Sequence, residues 1–176
     1  MTDAPPKPPG PSVRLAAMNL LARREHSFHE LLDKLSLRFP DLDPVRDLRP
    51  ALERLRDEGL QSDQRFAGAW VRYRSSRGIG PLKIRAELQP RRLAADIVDE
   101  ALQQDGIDWE AICEQVFRRK FRPSRRADAR EKARWQRFLQ QRGFGHAEIR
   151  QVLRQAGVQS AAGDADEGRD SGDEEE

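Results

Sequence analysis

The residues here whose number and spacing could do chemistry are basic. From Arg118 to Arg137 the chain reads RRKFRPSRRADAREKARWQR, ten basic residues against two acidic ones. The ten are Arg118, Arg119, Lys120, Arg122, Arg125, Arg126, Arg130, Lys132, Arg134 and Arg137. A second cluster, Arg65, Arg72, Arg74, Arg77, Lys83 and Arg85, surrounds the stretch RSSRGIGPLKIRAEL. Such density attracts polyanions, whether nucleic acid or an acidic protein face. Arg outnumbers Lys, which suits two-pronged contact with phosphate or carboxylate. For any single Arg a solvated helix surface is the competing reading; for the 118–137 run as a whole the density favours a contact surface. Trp70, Tyr73 and Trp135 stand beside basic residues where they could stack on bases, but their helical spacing assigns them to the core.

Other chemistries find little support. Gly78-Ile79-Gly80 suggests a phosphate loop, yet no strand precedes it and no third glycine or Gly-Lys-Ser/Thr follows. His26 and His29 form a His-x-x-His pair without a third or fourth metal ligand nearby, and His146 stands apart. Ser27, Ser75 and Ser76 have no base placed by spacing. The single Cys113 sits among Trp109, Ile112, Val116 and Phe117 on a predicted helix, which makes it a packed thiol and rules out an internal disulfide. No enzyme, cofactor or metal site is expected.

What must position the basic residues is a repeated unit. LQQRGFGHAEIRQVL, Leu139 to Leu153, aligns with the Arg74–Leu88 stretch without gaps: Arg77 with Arg142, Gly78 with Gly143, Ile79 with Phe144, Gly80 with Gly145, Ile84 with Ile149 and Leu88 with Leu153. Trp70 and Trp135 each precede the first glycine by eight residues. A weaker copy is LARREHSFHELLDKL, Leu21 to Leu35. Each unit reads as a helix, a tight turn and a second helix. Gly78 and Gly143 fit the left-handed position after a helix, Gly80 and Gly145 the next N-cap, and Pro81 the first helical position. Ser27 is a better cap, with Glu30 completing a capping box. Ile79, Phe144 and His26 should tuck between the helices.

Periodicity predicts helices at about 12–24, 28–38, 46–58, 62–77, 81–88, 91–104, 108–122, 127–142 and 146–156, with Pro50 in the first turn of the third and Pro90 opening the sixth. No stretch alternates with period two. The helices group as three-helix repeats at 12–58, 62–104 and 108–157, the last a permuted version in which the motif falls on the second and third helices. With 37% hydrophobic, 6% aromatic and 35% charged residues, small bundles side by side are favoured over one large core. The expected fold is all-α, an elongated curved array.

The flanks differ. Residues 1–11 hold five prolines and read as a flexible start without a signal-peptide core, while 158–176 read as a disordered acidic tail. Residues 164–176 carry a net −7, so that 1–163 carry +9 beneath the formal net of +2. The tail could be a solubilising appendage, an internal competitor for the basic surface, or a nucleic-acid mimic offered to a partner. No apolar run approaches the ~20 residues that span a bilayer, and a cytoplasmic location is expected.

LLARREHSFHELLDKL, then GLQSDQRFAGAWVRYRSSRGIGPLKIRAEL, then FLQQRGFGHAEIRQVL resemble the RecX family of bacterial recombination regulators, from about Leu15 to Leu153. The signature is Ser62-Asp63, Arg65-Phe66-Ala67, Arg77-Gly78-x-Gly80, Ile84 and Glu87-Leu88. The resemblance implies three tandem three-helix repeats and a non-enzymatic modulator, usually an inhibitor, of RecA. It implies binding to RecA and RecA-DNA filaments, with effects on ATP hydrolysis, strand exchange and stimulated repressor cleavage, and weak electrostatic binding to single- or double-stranded DNA. The protein is expected to act as a monomer. The family supplies no catalytic set; the contact residues are read from charge alone as Arg72, Arg74, Arg77, Lys83 and Arg85 with the ten of the 118–137 run, and Gly78, Gly80, Gly143 and Gly145 as turns that set geometry. An independent helix-turn-helix repressor is the alternative.

Overall fold

The computed structural model describes residues 12–121 and 128–156. The Pro-rich start, Arg122, Arg125 and Arg126, and the acidic tail lie outside them. Nine α-helices and no strand occur among the described residues: α1 Val13–Leu21, α2 Phe28–Arg38, α3 Arg49–Asp57, α4 Asp63–Ser76, α5 Pro81–Leu88, α6 Ala95–Leu102, α7 Trp109–Lys120, α8 Ala129–Gln141 and α9 His146–Gln155. Their starts are set locally. The side chains of Ser12, Ser27, Ser62, Asp108 and Asp128 each accept a hydrogen bond from a backbone N–H three residues on, satisfying a donor that the helix itself leaves free.

Close helix packing stays within triplets: α1 with α2 and α3, α4 with α5 and α6, α7 with α8 and α9. Each triplet has its own core. The first is built on Phe28, Leu31, Leu35, Leu48, Leu52 and Leu55; the second on Phe66, Val71, Ile79, Ile84, Leu88 and Val98; the third on Phe117, Trp135, Leu139, Phe144, Ile149 and Val152. A large apolar side chain buried this way contributes about 1.5–3 kcal/mol, so three such small cores can each hold a bundle. The turn residues Ile79, Phe144 and His26 are all buried, as the repeat requires.

Three local expectations need correcting. The third helix starts later than 46, at Arg49 with Pro50 in its first turn as expected, and a π-helical turn at Pro44–Leu48 leads into it, capped by Asp43, whose carboxylate accepts from the N–H groups of Val45 and Arg46 at 2.8 Å. Pro50 has no N–H to return to Arg46, and the wider turn fits the backbone around that loss. The sixth helix does not open at Pro90. Gln89–Arg91 instead extends α5 as a 3-10 turn, Arg92 takes a left-handed φ of 53°, and α6 starts at Ala95. Glu30 makes only half a capping box: Ser27 Oγ accepts from Glu30 N at 3.1 Å, but the Glu30 carboxylate turns to Arg24, His26 and Arg91.

That turn of Glu30 builds the joint between the first two triplets. Phe28 N donates to Asp63 Oδ1 at 2.8 Å, Gln61 Nε2 to His26 O at 3.2 Å, and Arg65 Nε to Glu25 Oε1 at 2.8 Å. Arg91, swung inward by the 3-10 turn, reaches Glu30 at 3.4 Å with its guanidinium 4.1 Å from the centre of the Trp70 ring. The joint is polar and incompletely satisfied. Among the described residues the buried Gln61 Oε1, Trp70 Nε1 and Arg91 Nε have no hydrogen-bond partner, all three at this joint, while His26 Nδ1 stands 3.2 Å from Glu30 Oε2.

Candidate polyanion-binding surface

The joint between the second and third triplets is of another kind, because the two Gly-x-Gly turns meet there. Gly80 N donates to Arg142 O at 2.8 Å, and Leu82 N to Gly143 O at 3.0 Å. These are the free N–H groups of the first turn of α5, and the partners are carbonyls at the end of α8. Gly78 (φ 72°) and Gly143 (φ 88°) take the left-handed conformation that the turns need. The glycines also make room. A Cβ on Gly78 would stand 2.5 Å from Val116 Cγ2, one on Gly80 would stand 2.5 Å from Phe144 N, and one on Gly143 would stand 2.6 Å from Lys83 N. Gly78, Gly80 and Gly143 thus leave room for atoms of the neighbouring triplet, whereas a Cβ on Gly145 would meet the Glu148 side chain of its own helix.

This joint draws basic residues together. Arg77 lies in the first turn and is exposed, with its guanidinium 5.4 Å from the Tyr73 ring centre. Lys83 backs onto Gly143, and Arg142 Nη1 lies 3.9 Å from where a Gly78 Cβ would sit. The other members of the central cluster are engaged. Arg74 forms a two-pronged ion pair with Glu87, Nε to Oε2 being 2.7 Å, and the hydrogen bond raises its already high pKa. Arg85 pairs with Asp99 at 2.5 Å and Arg72 donates to Gln104 at 2.7 Å. Arg77 and Lys83 are therefore the members of the cluster without a side-chain hydrogen bond or ion pair among the described residues.

On the third triplet, Lys120, Phe121, Arg134, Arg137, Phe138 and Gln141 line a groove of about 260 Å³ between the end of α7 and one face of α8. Phe121 and Phe138 meet edge to face with ring centres 5.2 Å apart, Arg134 lies over Phe121 at 5.8 Å, and Arg142 over Phe138 at 5.3 Å. Arg142 thus stands at the glycine joint and over Phe138, one of the aromatic residues of the groove. Among the described residues no carboxylate pairs with Lys120, Arg134 or Arg137, whereas Arg118 is held by Glu114 at 2.7 Å. Arg119 and Arg130 are exposed, and Lys132 is half-buried and engaged. Charge density alone identified the cationic residues but missed Phe121, Phe138 and Arg142. The alignment of Arg142 with Arg77 was the one available signal.

Of the aromatic stacking candidates, Trp135 is 3% exposed and belongs to the core, and Trp70 packs against the core of the second triplet. Tyr73 is 52% exposed. Cys113 is buried, and burial pushes its thiol up to about 12. Among the described residues no group of three His, Cys, Asp or Glu side chains is arranged to hold a metal ion, and no helix is long and apolar enough to cross a membrane.

Comparison with known proteins places this architecture. The family model "RecX, second three-helix domain" matches residues 62–102, and "RecX, third three-helix domain" matches residues 107–153. The "Regulatory protein RecX" of Pseudomonas entomophila (strain L48) is 44% identical over 142 residues, 81% of this chain and 90% of that one. That of Halorhodospira halophila (strain DSM 244 / SL1) is 42% identical over 158 residues, 90% and 92% of the two chains. The chain belongs to the RecX family.

A solved structure, "Crystal structure of regulatory protein RecX", superposes with a TM-score of 0.63 over 81% of this chain and 72% of the other, at 20% identity, which speaks for the fold. The RecX models for the second and third domains meet across the glycine joint, since residues 78–83 fall in one and 142–145 in the other. These RecX relatives are named regulatory proteins, and a regulatory role agrees with a chain whose chief polar feature is a basic surface.

Proposed function

We propose that this chain binds RecA and RecA-DNA filaments and restrains RecA. The basic surface that runs from Arg77 and Lys83 through Arg142 into the third-triplet groove would be the contact face. The observation that carries the reading, in a RecX chain, is the position of Arg142, which stands at the glycine joint near Gly78 and over the Phe138 ring of the groove. A cationic surface with aromatic floor can meet phosphate and acidic protein side chains together. No catalytic group is needed for such a role. Occupying a filament blocks its growth or the entry of a second strand by exclusion alone. Weak DNA binding of its own follows from the same charge, and a monomer suffices. A cytoplasmic location goes with this partner.

An independent helix-turn-helix repressor fits less well. Such proteins read base edges with the N-terminal residues of the second helix. Here that helix is α5, and its first turn is held against the third triplet by the bond from Leu82 N to Gly143 O. The test is steady-state ATP hydrolysis by RecA on single-stranded DNA in excess, with this protein titrated in at constant salt. Substoichiometric loss of hydrolysis, weakened in an Arg77→Glu/Arg134→Glu variant, is the expected result. Inhibition only when the protein saturates the DNA would overturn the filament reading.

A further inference from the structure

We propose that the third-triplet groove is also the docking site of the chain's own acidic segment, residues 164–176, which competes there with an external polyanion. The groove presents Lys120, Arg134 and Arg137, none of them paired with a carboxylate among the described residues. The segment DADEGRDSGDEEE offers eight carboxylates against one Arg. Arginines that lack a carboxylate partner and lie beside an aromatic floor favour carboxylate, and the pairing is two-pronged where Arg is the donor; Arg137 spends only its Nε, on Ala133 O at 3.3 Å.

Reach is adequate. Gln155 Nε2 donates to Glu110 Oε1 at 3.1 Å, which places the end of α9 beside the first turn of α7. The groove begins at Lys120, ten residues along α7, or about 15 Å away at the helical rise. Eight residues lead from Ala156 to Asp164 and can span about 26–29 Å when extended. Tethering that close raises the effective concentration of the segment to the order of millimolar, so weak ion pairs are enough. A second copy or a separate acidic partner would have to compete with that tethered segment. The proposal bears on regulation of the surface described under the proposed function, but docking itself requires neither RecA nor DNA.

The experiment uses the full chain carrying Ser171→Cys, labelled with a nitroxide. The native Cys113 is buried with its thiol pushed up to about 12, so the label goes to the introduced thiol. Paramagnetic broadening of backbone amides is then read at low and high salt. The expected result is broadening centred on Lys120, Phe121, Arg134, Arg137, Phe138 and Gln141 at low salt. It should be relieved at high salt and absent in Arg134→Glu/Arg137→Glu, whose amide spectrum otherwise shows the native fold. Even broadening over the surface, none at all, or a centre elsewhere would overturn docking. So would broadening that passes from labelled to unlabelled chains in a mixture, which would make a second copy the occupant. A chain with the eight acids changed to Asn or Gln should bind single-stranded DNA about tenfold more tightly at low salt and equally at high salt. Docking with unchanged DNA affinity would overturn the competition; failure of RecA inhibition alone would strike only the proposed function.

Discussion

Gly80→Ala isolates the joint between the second and third triplets. Gly80 has φ −82° and ψ 166°, a conformation open to alanine, so backbone strain contributes nothing. The new methyl would instead collide with the Gly143 carbonyl group and stand 2.5 Å from Phe144 N. Backbone cannot step aside as a side-chain end can, and the turns must separate. Separation breaks the bonds from Gly80 N to Arg142 O and from Leu82 N to Gly143 O. At about 1 kcal/mol net each, the loss is about 2 kcal/mol, or some 4–8 °C in Tm for a chain this long. Gly145→Ala is the matched control. It too is an N-cap glycine, with φ −80° and ψ 172°, but its methyl would meet only the movable carboxylate end of Glu148, at 2.7 Å. The cost of an alanine N-cap cancels between the two variants. Urea unfolding should place Gly80→Ala about 2 kcal/mol below Gly145→Ala, and amide exchange should show Leu82 losing protection. Equal stabilities with Leu82 still protected would refute the reasoning.

Gly143→Ala should cost more than Gly80→Ala by about 1–2 kcal/mol, because left-handed strain adds to the clash; Gly59→Ala, with φ 73° and open space around it, should show the strain alone in the same urea titration. Stability should fall on acidification below His26's ordinary value of 6.5. Burial first, then the Arg24 charge, lowers its pKa, so the unfolded chain takes up a proton that the folded chain refuses. Glu30 adds a second loss below its ordinary 4.5: burial would raise its pKa, but the Arg24 hydrogen bond and the charges of Arg24, His26 and Arg91 lower it on balance. His26→Phe, the residue type at the equivalent turn of the third triplet, should flatten the pH dependence of unfolding near 6 while leaving the Glu30 limb, as urea midpoints across pH will show. Arg91→Ala removes the ion pair to Glu30 and the cation over Trp70, and should cost about 2 kcal/mol with a shift in tryptophan emission. Cys113 should resist thiol reagents at pH 8 in the native protein and react at once in urea.

Much of this molecule is local and therefore legible in its sequence. Ser27, Ser62, Asp108 and Asp128 cap helices through groups three residues away, and Gly78 and Gly143 end helices because the left-handed turn suits glycine. The repeat of Arg-Gly-x-Gly with a buried residue at its centre predicts two helix-turn-helix units without reference to anything distant. Composition likewise argues for several small cores over one large one, and three are found.

What the tertiary structure alone decided is how these units meet and which charges remain available. The same Arg-rich stretch contains Arg77, exposed at the joint, and Arg74, tied to Glu87, and nothing in their spacing separates them. Pro90 reads as a helix start, yet the 3-10 turn it makes swings Arg91 inward onto Trp70 and Glu30. The two Gly-x-Gly turns read as separate local devices, and their shared joint depends on how two bundles fold against one another. Caps and turns are settled within four residues of backbone, where one geometry satisfies the hydrogen bonds. Ion pairs, grooves and joints depend on side chains brought close by packing from distant parts of the chain, and pattern within a segment carries no record of that.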